Sequence, residues 1–92
     1  MLFFNFCSFN PSLTEFEIKE TIPILIGEKI RKLRKQLGLT QIELAELVLK
    51  DHQYQYKIEK GLVTPNISTI TFLAKALETS LKDFFDIEGK PW

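Results

Sequence analysis

The sequence predicts an all-α domain, a compact set of five helices joined by short turns. Apolar residues recur three and four positions apart along most of the chain after residue 21, which is the spacing of one helix face. Side chains suited to capping a helix start, such as Thr40 and Asp51, stand just before these apolar segments. Gly38 and Gly61 follow two of the segments, at positions where a left-handed residue commonly ends a helix.

The composition narrows the class of protein further. The 92 residues fit one small domain with a single modest core, and an apolar content of 45% is too high for a disordered chain. Cys7 is the only cysteine, so no intramolecular disulfide can form, and a reducing, cytoplasmic location is expected. We expect no cofactor and no metal site, because the sequence has no Cys/His cluster and no phosphate-binding glycine motif.

The net charge is zero, which is unusual for a nucleic-acid-binding chain, but the charges are unevenly distributed. Residues 24–85 carry a net charge of +3, residues 1–23 carry −2 and residues 86–92 carry −1. The excess of positive charge in the central residues is small. One copy of the chain should therefore neutralise few phosphates, and a dimer would double their number.

Residues 1–20 form a predicted N-terminal extension rich in aromatic residues, namely Phe3, Phe4, Phe6 and Phe9. The stretch lacks the charged start and cleavage site of a secretory signal, and it is too short and polar to span a bilayer. Three interpretations stay open: an arm packed on the domain, an arm paired with a second copy, or a poorly ordered leader. Residues 14–20 alternate apolar and charged side chains, which indicates a strand, although a short helix capped by Ser12 or Thr14 is also consistent.

The domain itself is predicted over residues 21–86. Its first helix is expected to begin at Thr21 or Ile22, with Pro23 in the first turn, where proline is tolerated. The expected apolar face is Ile26, Ile30, Leu33 and Leu37. The other faces carry Lys29, Arg31, Lys32 and Lys35, which suit either plain solvation or contact with phosphates.

The central stretch, residues 40–61, predicts two short capped helices separated by a turn. Thr40 and Glu43 have the spacing of a capping box, and Leu44, Ala45 and Val48 then fall on one face. Asp51 is a good cap for a second helix from His52 to Lys60. Two capped helices with a tight turn between them are typical of a helix-turn-helix, whose second helix could enter a DNA major groove.

Two more helices complete the predicted domain. Asn66 or Ser68 should cap the first, whose apolar stripe is Ile67, Ile70, Leu73, Ala74 and Leu77. Ser80 should cap the second, with Leu81, Phe84 and Phe85 facing inward. Residues 87–92 are predicted to be an irregular tail, and the terminal Trp92 is either a contact with a second copy or part of a flexible end.

From Ile26 to Phe85 the chain resembles the lambda-repressor-like helix-turn-helix family, of the Xre or Cro/CI type. The matching segments are IGEKIRKLRKQLGLTQIELAE, KIEKG, and TP followed by LAKALETSLKDFF. The resemblance implies a five-helix lambda-repressor-like domain that binds operator DNA, usually as a dimer, and regulates transcription.

The resemblance also implies roles for individual residues. Gln41 matches a glutamine that contacts a DNA phosphate and braces the recognition helix, and Arg34 and Glu59 match a structural ion pair. The outward positions of the recognition helix, expected to contact bases, are His52, Gln53, Tyr56 and Lys57. These four positions share one helical face; a Gln amide can pair with adenine and a Lys can approach guanine. Further phosphate contacts are expected from Lys60 and Lys50.

Some positions depart from the family pattern. Leu49 stands where the turn commonly has glycine, and Lys50 where a buried aliphatic residue is usual. Gln55 stands at an inward position that is usually apolar, and Tyr54 is a candidate to fill that space instead. The loop at residues 62–64 lacks the basic residues often found there, which removes phosphate contacts.

The leading hypothesis is therefore a sequence-specific regulator that binds double-stranded DNA as a homodimer, such as a phage-type repressor, a restriction–modification controller or an antitoxin. The alternative is a protein-interaction module of the same fold with weak DNA affinity, whose partner would be a second protein such as a toxin or polymerase. An enzyme is the weakest hypothesis, because His52 and Cys7 are single residues of their kind and no catalytic motif appears. No membrane partner is expected.

Overall fold

The computed structural model describes residues 14–48 and 50–89, and within them it contains five helices and no strand. The helices are α1 (Glu15–Gln36), α2 (Gln41–Leu47), α3 (His52–Glu59), α4 (Ile67–Ala76) and α5 (Leu81–Phe84). The predicted all-α, five-helix class is confirmed. The expectations for residues 1–13, Leu49 and Trp92 concern residues outside the described part of the chain.

Helix α1 begins at Glu15, six or seven residues before the predicted starts at Thr21 and Ile22. Of the two alternatives left open for residues 14–20, the strand was wrong, and a helix capped by Thr14 is present. Thr14 forms a complete capping box with Glu17: its hydroxyl accepts from the Glu17 N–H at 3.1 Å, while the Glu17 carboxylate accepts from the Thr14 N–H at 2.8 Å. Pro23 consequently lies inside the helix and not in its first turn. All of residues 14–20 are exposed, so their alternation marks no buried face.

The core is built from apolar side chains of all five helices. Its most deeply buried members are Ile30, Leu44, Ile58, Leu73 and Phe84. Most of the predicted apolar faces are thus confirmed. Three predicted inward residues are exposed instead, because each stands at a helix end, where the apolar stripe has passed the core: Leu37 (39%), Ile67 (63%) and Leu81 (39%).

Helix α1 packs closely on the carboxyl end of α3, and two glycines permit this approach. A Cβ atom added to the buried Gly27 would lie 2.8 Å from the Glu59 carbonyl oxygen and closer still to that of Ile58. Gly61, just beyond α3, has a φ of +75° and lies against Ile24 of α1. The position of α3 is therefore set by backbone contact with α1 as well as by side-chain packing.

The helix starts follow the predicted caps. Asp51 accepts from the Tyr54 N–H at 2.7 Å, Asn66 from the Thr69 N–H at 2.8 Å, and Ser80 from the Asp83 N–H at 3.1 Å. Thr40 and Glu43 form the expected capping box. Of the two caps left open for α4, the structure selects Asn66 over Ser68.

Candidate nucleic-acid interface

Helix α3 is fixed at both ends by its own sequence. Asp51 caps the first turn, and Gly61 closes the last one in a Schellman arrangement. In that arrangement the Leu62 N–H donates to the Lys57 carbonyl at 2.9 Å, and the Gly61 N–H to the Ile58 carbonyl at 3.0 Å. The helix therefore has defined limits on either side of its eight residues.

One face of α3, here called the anchoring face, is buried in the protein. It consists of Gln55, Ile58 and Glu59. Ile58 joins the apolar core, whereas Gln55 and Glu59 take part in a polar network beneath the helix. Burial of these three side chains holds the helix in one rotational setting.

The opposite face, here called the reading face, is exposed. It consists of His52, Gln53, Tyr56 and Lys57, with Tyr56 exposed to 47%. The structure therefore places all four predicted base-contacting residues together on the outer surface. Amide and ammonium groups on one exposed helix face are suited to the donor and acceptor groups of base edges in a major groove.

The carboxylate of Glu59 connects three helices. Arg34 of α1 donates to it through Nε at 2.8 Å and Nη2 at 3.0 Å, and Gln55 of α3 donates at 2.9 Å. Gln41 of α2 adds a fourth hydrogen bond at 3.1 Å. The expected pair of Arg34 and Glu59 is thus present, with its side chains only 9% and 2% exposed. Removing one partner from such a buried pair typically costs about 3–5 kcal/mol.

The protonation of Glu59 reflects two opposing effects. Burial raises the pKa of its carboxyl, but hydrogen bonds from Arg34, Gln55 and Gln41, together with the positive charge of Arg34, lower it. The lowering effects prevail, and the pKa lies below the ordinary value of 4.5. The carboxylate is therefore ionised at neutral pH and accepts hydrogen bonds from all three partners.

The position of Gln55 shows that one expectation was wrong, namely that Tyr54 would fill the inward space in its place. Its side chain is fully buried, so Tyr54, which is half-buried beside the core, does not replace it. The Gln55 amide nitrogen is paired with Glu59, while its oxygen has no hydrogen-bond partner among the described residues. The buried amide donates to the Glu59 carboxylate, which an apolar residue at this position could not do.

The three predicted phosphate-contacting residues lie in different surroundings. Gln41 is half-buried, and its amide nitrogen is held by Glu59, which braces α2 against α3. Lys50 is exposed, with its ammonium 5.2 Å from the centre of the Tyr54 ring. Lys60 is exposed, with its ammonium 5.7 Å from the centre of the Tyr56 ring. Both lysines are therefore free to meet an anion.

A cleft of about 560 Å³, here called the basic cleft, lies where α1, α2 and the end of α3 meet. It is lined by Ile24, Glu28, Arg31, Arg34, Lys35, Gln41, Glu59 and Lys60. From the sequence, Arg31 and Lys35 were named among four basic residues suited to solvation or to phosphates, but they were not distinguished from the other two. Their separation of four residues was the available signal, since it places them on one side of a helix.

The described residues give no sign of a metal centre or a membrane span. Within residues 14–48 and 50–89, no three His, Cys, Asp or Glu side chains come together in a way that could hold a metal ion. No helix in this part of the chain is long and apolar enough to cross a bilayer.

The fold and the exposed face of α3 define the helix-turn-helix class of DNA-binding domain. Residues 30–84 match the family model HTH_3, described as Helix-turn-helix, and the chain belongs to this lambda-repressor-like family of transcriptional regulators. The family resemblance stated from the sequence is thereby confirmed.

Curated relatives carry regulator names. The chain is 33% identical to an uncharacterised HTH-type transcriptional regulator of Rickettsia prowazekii over 70 residues, which is 76% of this chain and 54% of that protein. It is 38% identical to the HTH-type transcriptional regulator PuuR of Escherichia coli over 65 residues, or 71% of this chain and 35% of PuuR. The chain thus spans about half of the first protein and a third of the second.

Solved structures show the same fold. The restriction–modification controller protein C.AhdI of Aeromonas hydrophila superposes with a TM-score of 0.66 at 31% identity, covering 70% of this chain and 97% of that one. The controller protein C.Esp1396I gives a TM-score of 0.67 at 29% identity, covering 72% of this chain and 85% of that one.

Proposed function

We infer that this protein is a sequence-specific, DNA-binding transcription regulator that acts as a homodimer and places α3 in the major groove. The division of α3 into two faces carries this proposal. The anchoring face is locked by Glu59 and Ile58, while the reading face offers four exposed polar side chains to solvent. A helix fixed in this way can present its outer residues to base edges without a further loss of backbone entropy, so that only the exposed side chains must be ordered on binding.

The homodimer follows from the limited contact surface of one copy. A single α3 presents only four predicted base-contacting residues, and a good bidentate base contact discriminates by about 1–3 kcal/mol. The central part of the chain also has only a mild positive excess. Two copies on half-sites about one helical turn apart, roughly 34 Å, would double both the base contacts and the phosphate contacts. The likeness to restriction–modification controller proteins supports a compact regulator of this kind. We place it in the cytoplasm, in keeping with the single cysteine of the sequence.

The test begins with selection of bound sites from random duplex DNA, which supplies an operator. The double variant Gln53→Ala/Lys57→Ala should then lose its preference for that operator by about 30-fold or more, since two base contacts of about 1 kcal/mol or more each are removed. The measurement is a competition of operator against random duplex in a fluorescence anisotropy titration.

The chain offers a matched control for this variant. Lys32 and Gln36 are also a lysine and a glutamine four residues apart, exposed on α1. Lys32→Ala/Gln36→Ala should keep the operator preference. If the α3 double variant discriminates as well as the unmodified chain, the assignment of the reading face to the groove is wrong.

A second candidate function is a protein-interaction module, for example an antitoxin that binds a partner toxin or a regulator that contacts polymerase. The exposed apolar residues beside α3 favour it: Leu62 is 67% exposed, and Gly61 before it lies against the exposed Ile24. Salt titration separates the two functions. DNA binding should weaken steeply between 50 and 200 mM salt, whereas an apolar protein contact should not.

A further inference from the structure

We propose that the basic cleft binds a phosphate of the DNA backbone and that Arg31 and Lys35 of α1 supply the contacting charges. The proposal rests on the DNA-binding function inferred above. It extends that function to α1, whose basic residues the sequence left open between plain solvation and contact with phosphates, and it selects two of them.

The accessible positive charges that line the cleft outnumber the accessible negative ones. Arg34 lies at its base and is neutralised by Glu59, with which it forms two hydrogen bonds. Arg31 and Lys35 are exposed and have no ion-pair partner among residues 14–48 and 50–89. Lys60 adds a third exposed cation, and Glu28 is the one exposed acid in the lining. The accessible groups therefore leave an excess of two positive charges facing one concave surface.

The cleft is continuous with the reading face. Lys60 lines the cleft, and its ammonium group lies 5.7 Å from the ring of Tyr56, which belongs to the reading face. Gln41, at the start of α2, lines the cleft from the other side and is tied to Glu59. A duplex with its major groove over the reading face would thus carry a sugar-phosphate strand past the cleft.

The donor types suit a phosphate diester. An arginine guanidinium presents a planar fork of N–H groups that matches two phosphate oxygens, and a lysine ammonium contributes a compact charge. Gln41 uses one amide hydrogen on Glu59 and keeps a second for an anion. The loop at residues 62–64 has no basic residue, so α1 would replace the phosphate contacts that this loop lacks.

The test uses the salt dependence of DNA binding. Arg31→Gln and Lys35→Gln should each reduce the slope of log K against log salt by about 1 per protomer, or about 2 for the homodimer, because each removes one phosphate contact from each copy. Lys32→Gln is the matched control: it makes the same charge change on the same helix, but Lys32 lines a different cleft beside Lys29 and Ile87. Its slope should equal that of the unmodified chain. The ratio of operator to random-duplex affinity should stay constant in all three variants, and thermal melts should show that each is folded.

The outcomes separate this proposal from the function on which it rests. If the unmodified chain binds its operator and both cleft variants keep its slope, the cleft proposal is wrong while the DNA-binding function stands. If the unmodified chain binds no duplex at low salt, both fail together. A small phosphorylated compound is the other source of the same chemistry, and titration of the ¹⁵N-labelled protein with inorganic phosphate tests it. Saturable chemical-shift changes at Arg31 and Lys35, together with unchanged slopes of log K against log salt for DNA binding, would mean that the cleft binds a free phosphate and not the DNA backbone.

Discussion

At the scale of single residues, Glu59 connects the interface to the rest of the protein. Its carboxylate accepts hydrogen bonds from α1, α2 and α3, and its side chain is almost fully buried. A charged acceptor strengthens each of these bonds, and the partners fix one another because they share its two oxygens. The orientation of the reading face therefore depends on one buried residue that does not belong to that face.

The lowered pKa of Glu59 makes this network sensitive to acid. Because the folded-state pKa lies below 4.5, the stabilisation is complete above the unfolded-state pKa and is lost as the pH falls through the folded-state value. We expect the free energy of unfolding of the unmodified chain to fall more steeply below pH 4.5 than that of Glu59→Gln. Urea unfolding between pH 7 and pH 2.5 measures both curves, and parallel curves would show that the Glu59 carboxyl titrates alike in the folded and unfolded chain.

At the scale of helices, the carboxyl end of α4 contains a strained residue. Glu78 has a φ of +60°, and it occupies the position that Gly38 and Gly61 fill after α1 and α3. Its N–H donates to the Lys75 carbonyl, and the Thr79 N–H donates to that of Ala74, as in a Schellman ending. A non-glycine residue in this conformation costs on the order of 1 kcal/mol, and a negative charge at a helix carboxyl end is also unfavourable.

Glu78→Gly should therefore stabilise the protein, by about 0.5–1 kcal/mol after allowing for the greater freedom of glycine in the unfolded chain. For a domain of this size, that corresponds to a rise in melting temperature of about 2–8 °C. Glu78→Ala is the control, since it removes the charge but keeps the Cβ atom. An equal gain in both variants would assign the effect to charge and not to backbone strain.

The helices also show how far the sequence could predict the structure. The starts of α2 to α5 were predictable because their caps are local: a Thr, Asp, Asn or Ser side chain meets an N–H three residues on. The start of α1 was predictable only in part: Thr14 was one candidate cap, but the alternation of residues 14–20 resembled a strand, and Pro23 marked a later beginning. Because residues 14–20 have no buried face, their alternation did not determine their secondary structure. The Thr14 capping box could extend an existing helix at little cost, because nucleation is the expensive step.

The candidate site was predictable only where local sequence spacing determines it. The four reading-face positions follow from helical spacing, which fixes a face wherever the helix lies. The basic cleft depends on how α1 crosses α3, and that crossing is set by the contact of Gly27 with the α3 carbonyls. A glycine inside a helix signals a close approach but not the partner that it meets.

At the scale of the whole molecule, the charges are separated along α1. Its first part carries Glu15, Glu17 and Glu20 against Lys19, while its second part carries the basic residues of the cleft. Glu15 and Lys19 form an exposed ion pair at 3.1 Å, so Glu20 is the acid of this segment that is neither paired nor engaged in the cap. At 1.5 Å per residue, the backbone of Glu20 lies about 16 Å from that of Arg31.

This distance decides when the acidic end affects DNA binding. The Debye length is about 8 Å at 0.15 M salt and about 30 Å at 0.01 M, so repulsion from Glu20 should be screened in the first case and not in the second. We expect Glu20→Gln to tighten binding to random duplex at 10 mM salt and to leave it unchanged at 150 mM. Anisotropy titrations at the two concentrations measure this. An equal gain at both would mean that residue 20 lies against the duplex itself.

The separation of α3 into two faces with no residue in common has an evolutionary consequence. Under the proposed function, substitutions at His52, Gln53, Tyr56 or Lys57 change what is offered to DNA and leave untouched the contacts by which Gln55, Ile58 and Glu59 seat the helix. Such a scaffold can acquire a new target sequence by point mutation while its folding is preserved, so binding preference is free to diverge between descendants faster than architecture.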